Sequence, residues 1–138
     1  MIKLLKGLII AFRAHKGQVD KGGKPYILHP IKVALGVKTL EAKTVALLHD
    51  VLEDTDYTMK DLRFLNKNQK DALTLLTKNE NISYTDYIEA IKKDPIAKAV
   101  KISDLKHNSN LNRINVISEK DMSRYYKYNK ALKILEDK

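Results

Sequence analysis

The chain has 138 residues, of which 43% are hydrophobic and 31% are charged. This length and composition fit one globular domain with its own core, and they exclude both a disordered chain and two catalytic domains in tandem. Cysteine is absent, which excludes disulfides, thiolate metal sites, Fe–S clusters and cysteine nucleophiles. No apolar run reaches the ~20 residues of a membrane span, and run 7–12 is too short for a secretory signal. We therefore expect a cytoplasmic protein without a membrane partner.

The net charge of +9 is typical of proteins that bind polyanions. The 26 basic residues are mostly lysines, and they are spread along the whole chain rather than gathered in one segment. An even distribution favours a solvated surface over a nucleic-acid-binding face. We therefore do not expect a nucleic-acid partner, and a small anionic ligand such as a nucleotide is compatible with this charge distribution. The sequence does not indicate an oligomeric state.

Helical periodicity recurs along the chain, and no segment alternates long enough to predict a strand. Pro30 and Pro95 fit first helical positions, and Thr58, Ser83 and Ser118 fit N-caps. The predicted helices cover residues 2–16, 31–40, 41–54, 59–65, 67–78, 84–93, 96–111 and 118–136. The sequence thus predicts one all-α domain of about seven or eight helices that spans residues 1–138.

The predicted helix 41–54 has one apolar face and one face rich in acidic side chains. On a helical wheel, His49, Asp50, Glu53 and Asp54 fall within about 140° of one another. Three carboxylates this close repel one another, and at the end of a helix they also oppose the helix dipole. A divalent cation would relieve the repulsion. A solvated acidic helix end is the alternative, since an adjacent His-Asp pair can arise by chance.

Two further side chains could join this acidic face. His29 lies at a predicted loop-to-helix junction, and Asp104 lies inside the predicted helix 96–111. An unpaired Asp in an otherwise apolar helical stretch is costly to bury. Metal ligation would explain Asp104, and a helix cap or a surface position is the alternative. With His49 and Asp50, these residues form an H…HD…D pattern.

This pattern and its surroundings resemble the HD-domain metal-dependent phosphohydrolases. Four segments occur in the order found in the hydrolase domain of alarmone synthetase/hydrolases and in the stand-alone small alarmone hydrolases. They are HKGQ at 15–18, KPYILHP at 24–30, ALLHDVLEDT at 46–55 and KISDLKHN at 101–108. The resemblance implies an HD-domain helical bundle that removes the 3′-pyrophosphate from guanosine tetra- and pentaphosphate. A synthetase half does not fit in 138 residues.

The resemblance also implies roles for individual residues. One Mn²⁺ per chain is expected, with Fe, Mg or Zn as alternatives, because a mixed nitrogen and oxygen ligand set suits these metals. Glu53 and Asp54 match a pair that positions or deprotonates the attacking water. The implied metal ligands are His29, His49, Asp50 and Asp104.

Several side chains are expected to bind the substrate. Lys21 and Asn108 match family residues near the nucleotide, and Tyr128 follows Arg124 as in a pair late in the stand-alone hydrolases. Basic side chains near His29 would meet the negative charges of a 3′-pyrophosphate. The expected substrate-binding residues are Lys21, Lys24, Arg13, Asn108 and Tyr128.

Two departures from the family pattern concern the base and the sugar. Asp20 stands where the family commonly has a basic residue that packs on guanine, and Ser109-Asn110 replaces Met-Arg or Leu-Arg. Neither departure touches the metal positions, so they bear on specificity and not on hydrolysis.

Two other functions therefore stay open. One is a nucleotide phosphomonoesterase or a dinucleotide-cofactor phosphatase, and the other is a non-catalytic, metal-stabilised module that binds nucleic acid. Glu53 and Asp54 favour catalysis, because a binding module does not need them. Of the two remaining histidines, we expect His15 to support the structure, and we expect His107 either to lie behind the metal ligands or to face solvent, not to be a ligand itself.

Overall fold

The computed structural model describes residues 1–110 and 116–137. This part of the chain forms eight α-helices and one 3-10 helix, and its only extended pairing is an isolated antiparallel bridge between Val19 and Pro25. The helices are α1 (Ile2–Ala14), α2 (Leu28–Leu35), α3 (Leu40–Leu48), α4 (Val51–Asp54), α5 (Lys67–Leu76), α6 (Tyr84–Lys92), α7 (Pro95–Asn108) and α8 (Glu119–Glu136), with the 3-10 helix (Met59–Leu62) between α4 and α5. The predicted all-α fold is confirmed. None of these helices combines the length and the apolar character needed to cross a membrane.

Helix starts follow the predicted caps. The Ser83 side chain accepts a hydrogen bond from the third residue of α6, and Ser118 does the same for α8. Pro95 occupies the first position of α7, where Asp94 caps the free N–H groups of the first turn. Pro30 is the third residue of α2, and not its first residue as the sequence predicted. This position tolerates proline because first-turn N–H groups have no acceptor within the helix.

The predicted helix 41–54 is wrong in one respect, because it is interrupted. The backbone leaves regular helix geometry at Asp50 (φ −99°, ψ −5°), so α3 ends at Leu48 and α4 begins at Val51. The helical-wheel argument for a single acidic face therefore does not hold. His49 and Asp50 form a turn between two helices.

Other helix ends also differ from the prediction. Helix α2 ends at Leu35, five residues before the predicted end at position 40. Helix α7 ends at Asn108, and the predicted end at Leu111 lies outside the described residues. The segment predicted as helix 59–65 forms only a single 3-10 turn.

Helix α3 is the centre of the domain. It packs against α1, α2, α5 and α7, and every residue from Thr44 to Leu48 is buried. Full burial of a Val or Leu side chain contributes roughly 1.5–3 kcal/mol, so this helix dominates the core. Gly7 lets α1 approach closely, since a Cβ there would lie 3.3 Å from the Thr44 methyl carbon. Helices α2 and α7 contact both α3 and each other, and this arrangement brings the end of α3 next to side chains from both of them.

Candidate active site

Three buried side chains from three packed helices meet beside the end of α3. They are His29 on α2, His49 at the end of α3 and Asp104 on α7. The Asp104 Oδ1 lies 2.8 Å from the His29 Nε2 and 3.3 Å from the His49 Nε2. One ligand atom from each residue lies within 4.8 Å of the other two. These side chains could hold a divalent cation, and we call them the metal cluster.

Asp50 lies at the edge of the metal cluster. Its Oδ2 is 3.0 Å from the His49 Nε2 and 3.8 Å from the His29 Nε2. The hydroxyl of Tyr26 donates to the same oxygen at 2.6 Å. Asp50 therefore has a fixed direction and faces both imidazoles, and its role as a fourth ligand stays a prediction.

The orientation of His49 suits metal binding. Its Nδ1 donates to the carbonyl of Ala46 at 2.5 Å, in the last turn of α3. This bond directs the other ring nitrogen, Nε2, toward Asp50 and Asp104. Metal-ligating histidines commonly donate their second ring N–H to a carbonyl or carboxylate, which fixes both tautomer and ring direction. The last turn of α3 thus fixes the His49 ring through the ring nitrogen that points away from Asp104.

Asp104 is buried and charged. Its Oδ2 accepts from the Lys101 ammonium at 3.1 Å, and its Oδ1 accepts from the Asn108 amide at 3.1 Å. Burial alone would raise the pKa of Asp104, but Lys101 and His49 hold that pKa well below its usual range. Burial would likewise lower the pKa of His49, but Asp50 and Asp104 raise it well above its usual value. Asp50 and Asp104 thus favour a positive charge on His49, and a divalent cation bound to these carboxylates would take the place of that proton.

Glu53 and Asp54 lie on the exposed side of α4, beyond the His49-Asp50 turn. The Glu53 Oε1 accepts from the backbone N–H of Lys78 at 2.5 Å. Partial burial raises the pKa of both carboxyls, and the charge of Asp50 raises that of Asp54 further. Asp54 also lines a cavity next to the metal cluster. Their catalytic role stays a prediction.

This cavity has a volume of about 600 Å³. Three of the expected substrate-binding residues line it, and so does Arg124. The Lys21 ammonium pairs with Asp121 at 2.9 Å, and the Arg124 guanidinium lies 3.6 Å from the same carboxylate. Asp121 thus holds two cations at the cavity wall. The three expected residues are Lys21, Asn108 and Tyr128.

Lys24 and Arg13 are exposed and are not among the residues that line the cavity. Their contact with a substrate stays a prediction.

Asp20 has a structural role that the sequence reading did not assign to it. Its Oδ1 accepts from the backbone N–H groups of Gly22 at 2.8 Å and Lys24 at 3.0 Å. These bonds close the loop that carries Lys21, and Gly23 in that loop has a positive φ of 82°. An Asp two residues before a Gly is a known turn signal, so the sequence did contain this information.

The two remaining histidines contact residues in and beside the metal cluster. His15 is buried and bonded through Nδ1 to the Gln18 amide oxygen at 2.9 Å, and its ring contacts the Tyr26 ring. His107 is not part of the metal cluster. Its Nδ1 lies 2.6 Å from the Nδ1 of His29, on the side of that ring away from Asp104.

Comparisons with known proteins test the family resemblance. No family model matches the chain. The bifunctional (p)ppGpp synthase/hydrolase SpoT of Escherichia coli (strain K12) is 32% identical over 122 residues, which are 77% of this chain and 17% of SpoT. The guanosine-3′,5′-bis(diphosphate) 3′-pyrophosphohydrolase of Haemophilus influenzae is 34% identical over 116 residues, 72% of this chain and 17% of that enzyme. A GTP pyrophosphokinase of Streptomyces coelicolor is 34% identical over 116 residues, 72% of this chain and 13% of that protein.

A solved structure shares the fold. It is a metazoan ortholog of SpoT that hydrolyzes ppGpp, and it matches with a TM-score of 0.80 at 23% identity over 99% of this chain and 87% of that chain. The resemblance to the HD-domain alarmone hydrolases is confirmed. This chain spans only 13–17% of the length of the three curated relatives, so their full activities do not transfer to it directly.

Proposed function

We propose that this chain is a metal-dependent nucleotide pyrophosphohydrolase that removes the 3′-pyrophosphate from guanosine tetra- or pentaphosphate. The observation that carries the proposal is the metal cluster beside a cavity with Lys21 and Arg124 in its wall. A phosphorylated substrate needs a cation at the reacting phosphate and further cations for its remaining charges. The alarmone hydrolases among the relatives support this substrate class. Action in the cytoplasm without a nucleic-acid partner stays a prediction.

The metal in this proposal is one Mn²⁺ per chain, held by the metal cluster with Asp50 as the fourth ligand. The two imidazoles and two carboxylates form a mixed set that also suits Fe, Mg or Zn. The fixed direction of the His49 ring supports the assignment, because its Nε2 already points at the carboxylates. A divalent cation held by these residues would supply Lewis-acid polarisation of a phosphoryl oxygen and would acidify a water molecule.

Side chains that line the cavity, together with Glu53, would transfer the proton and bind the substrate. Asp54 accepts the proton of the attacking water as the water oxygen bonds to phosphorus. The bond between that phosphorus and the ribose 3′-oxygen breaks, pyrophosphate leaves, and the proton ends on the 3′-oxygen. Glu53 helps to position the water, while Lys21 and Arg124 face the phosphate charges. Asn108 lines the same cavity and donates to Asp104 of the metal cluster, and it would contact the nucleotide.

The proposal is tested by product analysis with the purified chain and Mn²⁺. Guanosine tetraphosphate, mononucleotides and NADPH are supplied separately, and released pyrophosphate and orthophosphate are measured in parallel. We expect pyrophosphate from guanosine tetraphosphate and no orthophosphate from the others. Orthophosphate from a mononucleotide or from NADPH would support the phosphatase function. No product from any compound, with metal bound, would support the non-catalytic binding module.

Lys21→Ala should raise KM for guanosine tetraphosphate more than it lowers kcat. The reason is that the Lys21 ammonium lies at the cavity wall, where it meets charge present in both the bound substrate and the transition state. Steady-state kinetics on the variant measure this split. Lys16→Ala is the charge-matched control, since Lys16 is exposed and does not line the cavity. An unchanged KM in Lys21→Ala, or an equal rise in the control, would remove Lys21 from the site.

Guanosine should be only modestly preferred over adenosine among the 3′-pyrophosphates. Asp20 offers no planar cation to stack on the base, as an arginine would. Asp20→Arg should sharpen the preference in kcat/KM. Because Asp20 also closes the Lys21 loop, Asp20→Asn is the control that keeps an acceptor for Gly22 and Lys24. A wild-type preference above about 10²-fold, roughly 2.7 kcal/mol, would mean that another residue reads the base.

A further inference from the structure

The ring of His29 is held on both sides. Its Nε2 lies 2.8 Å from the Asp104 Oδ1, and its Nδ1 lies 2.6 Å from the Nδ1 of His107, three residues further along α7. His29 is only 3% exposed, so bulk water does not supply a hydrogen-bond partner to this ring. His107 is neither a predicted metal ligand nor an expected substrate-binding residue.

The contact between the two histidines is a hydrogen bond in the plane of the rings. The ring planes are inclined by only 21°, and the ring centroids are 4.8 Å apart. Two nitrogens at 2.6 Å are closer than two stacked rings can approach, so the rings meet edge to edge. One proton lies between the nitrogens, and it can belong to either ring.

The position of this proton depends on what the His29 Nε2 contacts. In the contact with Asp104, the Nε2 of His29 carries a proton, and its Nδ1 can accept from His107. A metal ligand must instead present a lone pair from Nε2, so its proton must be on Nδ1 and needs an acceptor. The Nδ1 of His107 is at the correct distance to be that acceptor.

We propose that His107 is a positioning residue for the metal: its Nδ1 accepts the Nδ1–H of His29 and keeps the His29 Nε2 lone pair directed at the cation. The inference rests on the metal dependence in the proposed function. His107 thus does for His29 what the Ala46 carbonyl does for His49. A side chain is used here because Nδ1 of His29 faces α7, whereas His49 has an acceptor in its own helix.

A role of His107 in packing α2 against α7 can be tested separately from its proposed role in metal binding. Helices α2 and α7 also share a hydrogen bond that does not involve His29, from the Ser103 hydroxyl to the Val33 carbonyl at 2.8 Å. Ser103→Ala removes this link and leaves the His29–His107 bond in place. It is therefore a matched control for loss of a hydrogen bond between these two helices.

The test is a Mn²⁺ titration of the full chain, by calorimetry, without substrate. His107→Leu should weaken Mn²⁺ binding by about 10–100-fold, the usual effect of removing an outer partner of a ligand. His107→Asn should bind nearly as the wild type does, because the Asn amide oxygen can take the place of the Nδ1 acceptor. Ser103→Ala should lower the melting temperature of the metal-free protein and leave the Mn²⁺ affinity unchanged.

Wild-type affinity in His107→Leu would overturn the inference, and so would a loss in His107→Asn as large as in His107→Leu. If His107→Leu does not fold, ¹⁵N-histidine NMR of the wild type loaded with diamagnetic Zn²⁺ decides the question. A ¹⁵N–¹⁵N coupling between the Nδ1 atoms of His29 and His107, with the proton on His29, is expected. Its absence would reject the bond. A wild type that binds no metal would instead contradict the proposed function.

Discussion

Glu53→Gln and Asp54→Asn should each retain the fold and the metal, while turnover falls by about 10²-fold or more, the scale of lost general acid–base catalysis. Both substitutions keep shape and remove charge. Gln at position 53 keeps an oxygen that can accept from the Lys78 backbone N–H, so the contact of α4 with that loop survives. The loss of turnover should therefore come from the missing charge and not from a change in the fold.

Turnover of guanosine tetraphosphate, metal content and melting temperature measured on the same preparations separate these effects. Asp56→Asn is the matched control, because Asp56 is an exposed acid two residues after α4. The pH profile gives a second readout. Burial raises the pKa of Asp54. A base must be deprotonated, so kcat/KM should fall as the pH falls through this raised pKa, and Asp54→Asn should lose that limb. Wild-type rates in both variants would show that the pair has no mechanistic role.

The resemblance of the H…HD…D pattern to the HD-domain family predicted the residues of the metal cluster. His29, His49 and Asp104 come from separate segments, and the structure brings them together because α2, α3 and α7 pack on one another. The periodicity of the apolar residues predicted these helices, since burial of one face is encoded locally. The break at Asp50 was missed. The apolar pattern continues through it, since Leu48 and Val51 are both buried, so periodicity gives no sign of the interruption.

The outer partners of the site could not be predicted, since they are long-range contacts. Lys21 and Asp121 are a hundred positions apart, and the sequence alone gives no reason to pair them. The hydrogen bond between Tyr26 and Asp50 likewise joins residues 24 positions apart, and the sequence gives no reason to pair them. Lys101 could have been found, because it lies three residues before Asp104 on one helix and is placed to pair with a buried carboxylate.

Elemental analysis should find about one transition metal per chain in protein prepared without chelator, and His49→Ala or Asp50→Ala should lose it. His49 contributes a buried nitrogen whose direction is fixed by Ala46, so no neighbouring side chain replaces it. Bound metal stabilises the folded state by mass action, about 2.7 kcal/mol at a free metal concentration of 100 Kd. For a domain of this size, that corresponds to a fall in melting temperature on the order of 10 °C when the metal is lost.

The matched control for the metal prediction is His15→Ala, which removes a buried imidazole outside the metal cluster. That variant should melt at a lower temperature, because it leaves a cavity, yet it should keep its metal and its response to added Mn²⁺. His49→Ala and Asp50→Ala should instead show melting temperatures that no longer respond to Mn²⁺ or to chelator. If both variants carried wild-type metal, the cation would have to lie elsewhere, and the charged pairs around Asp104 would then be a structural network of the core.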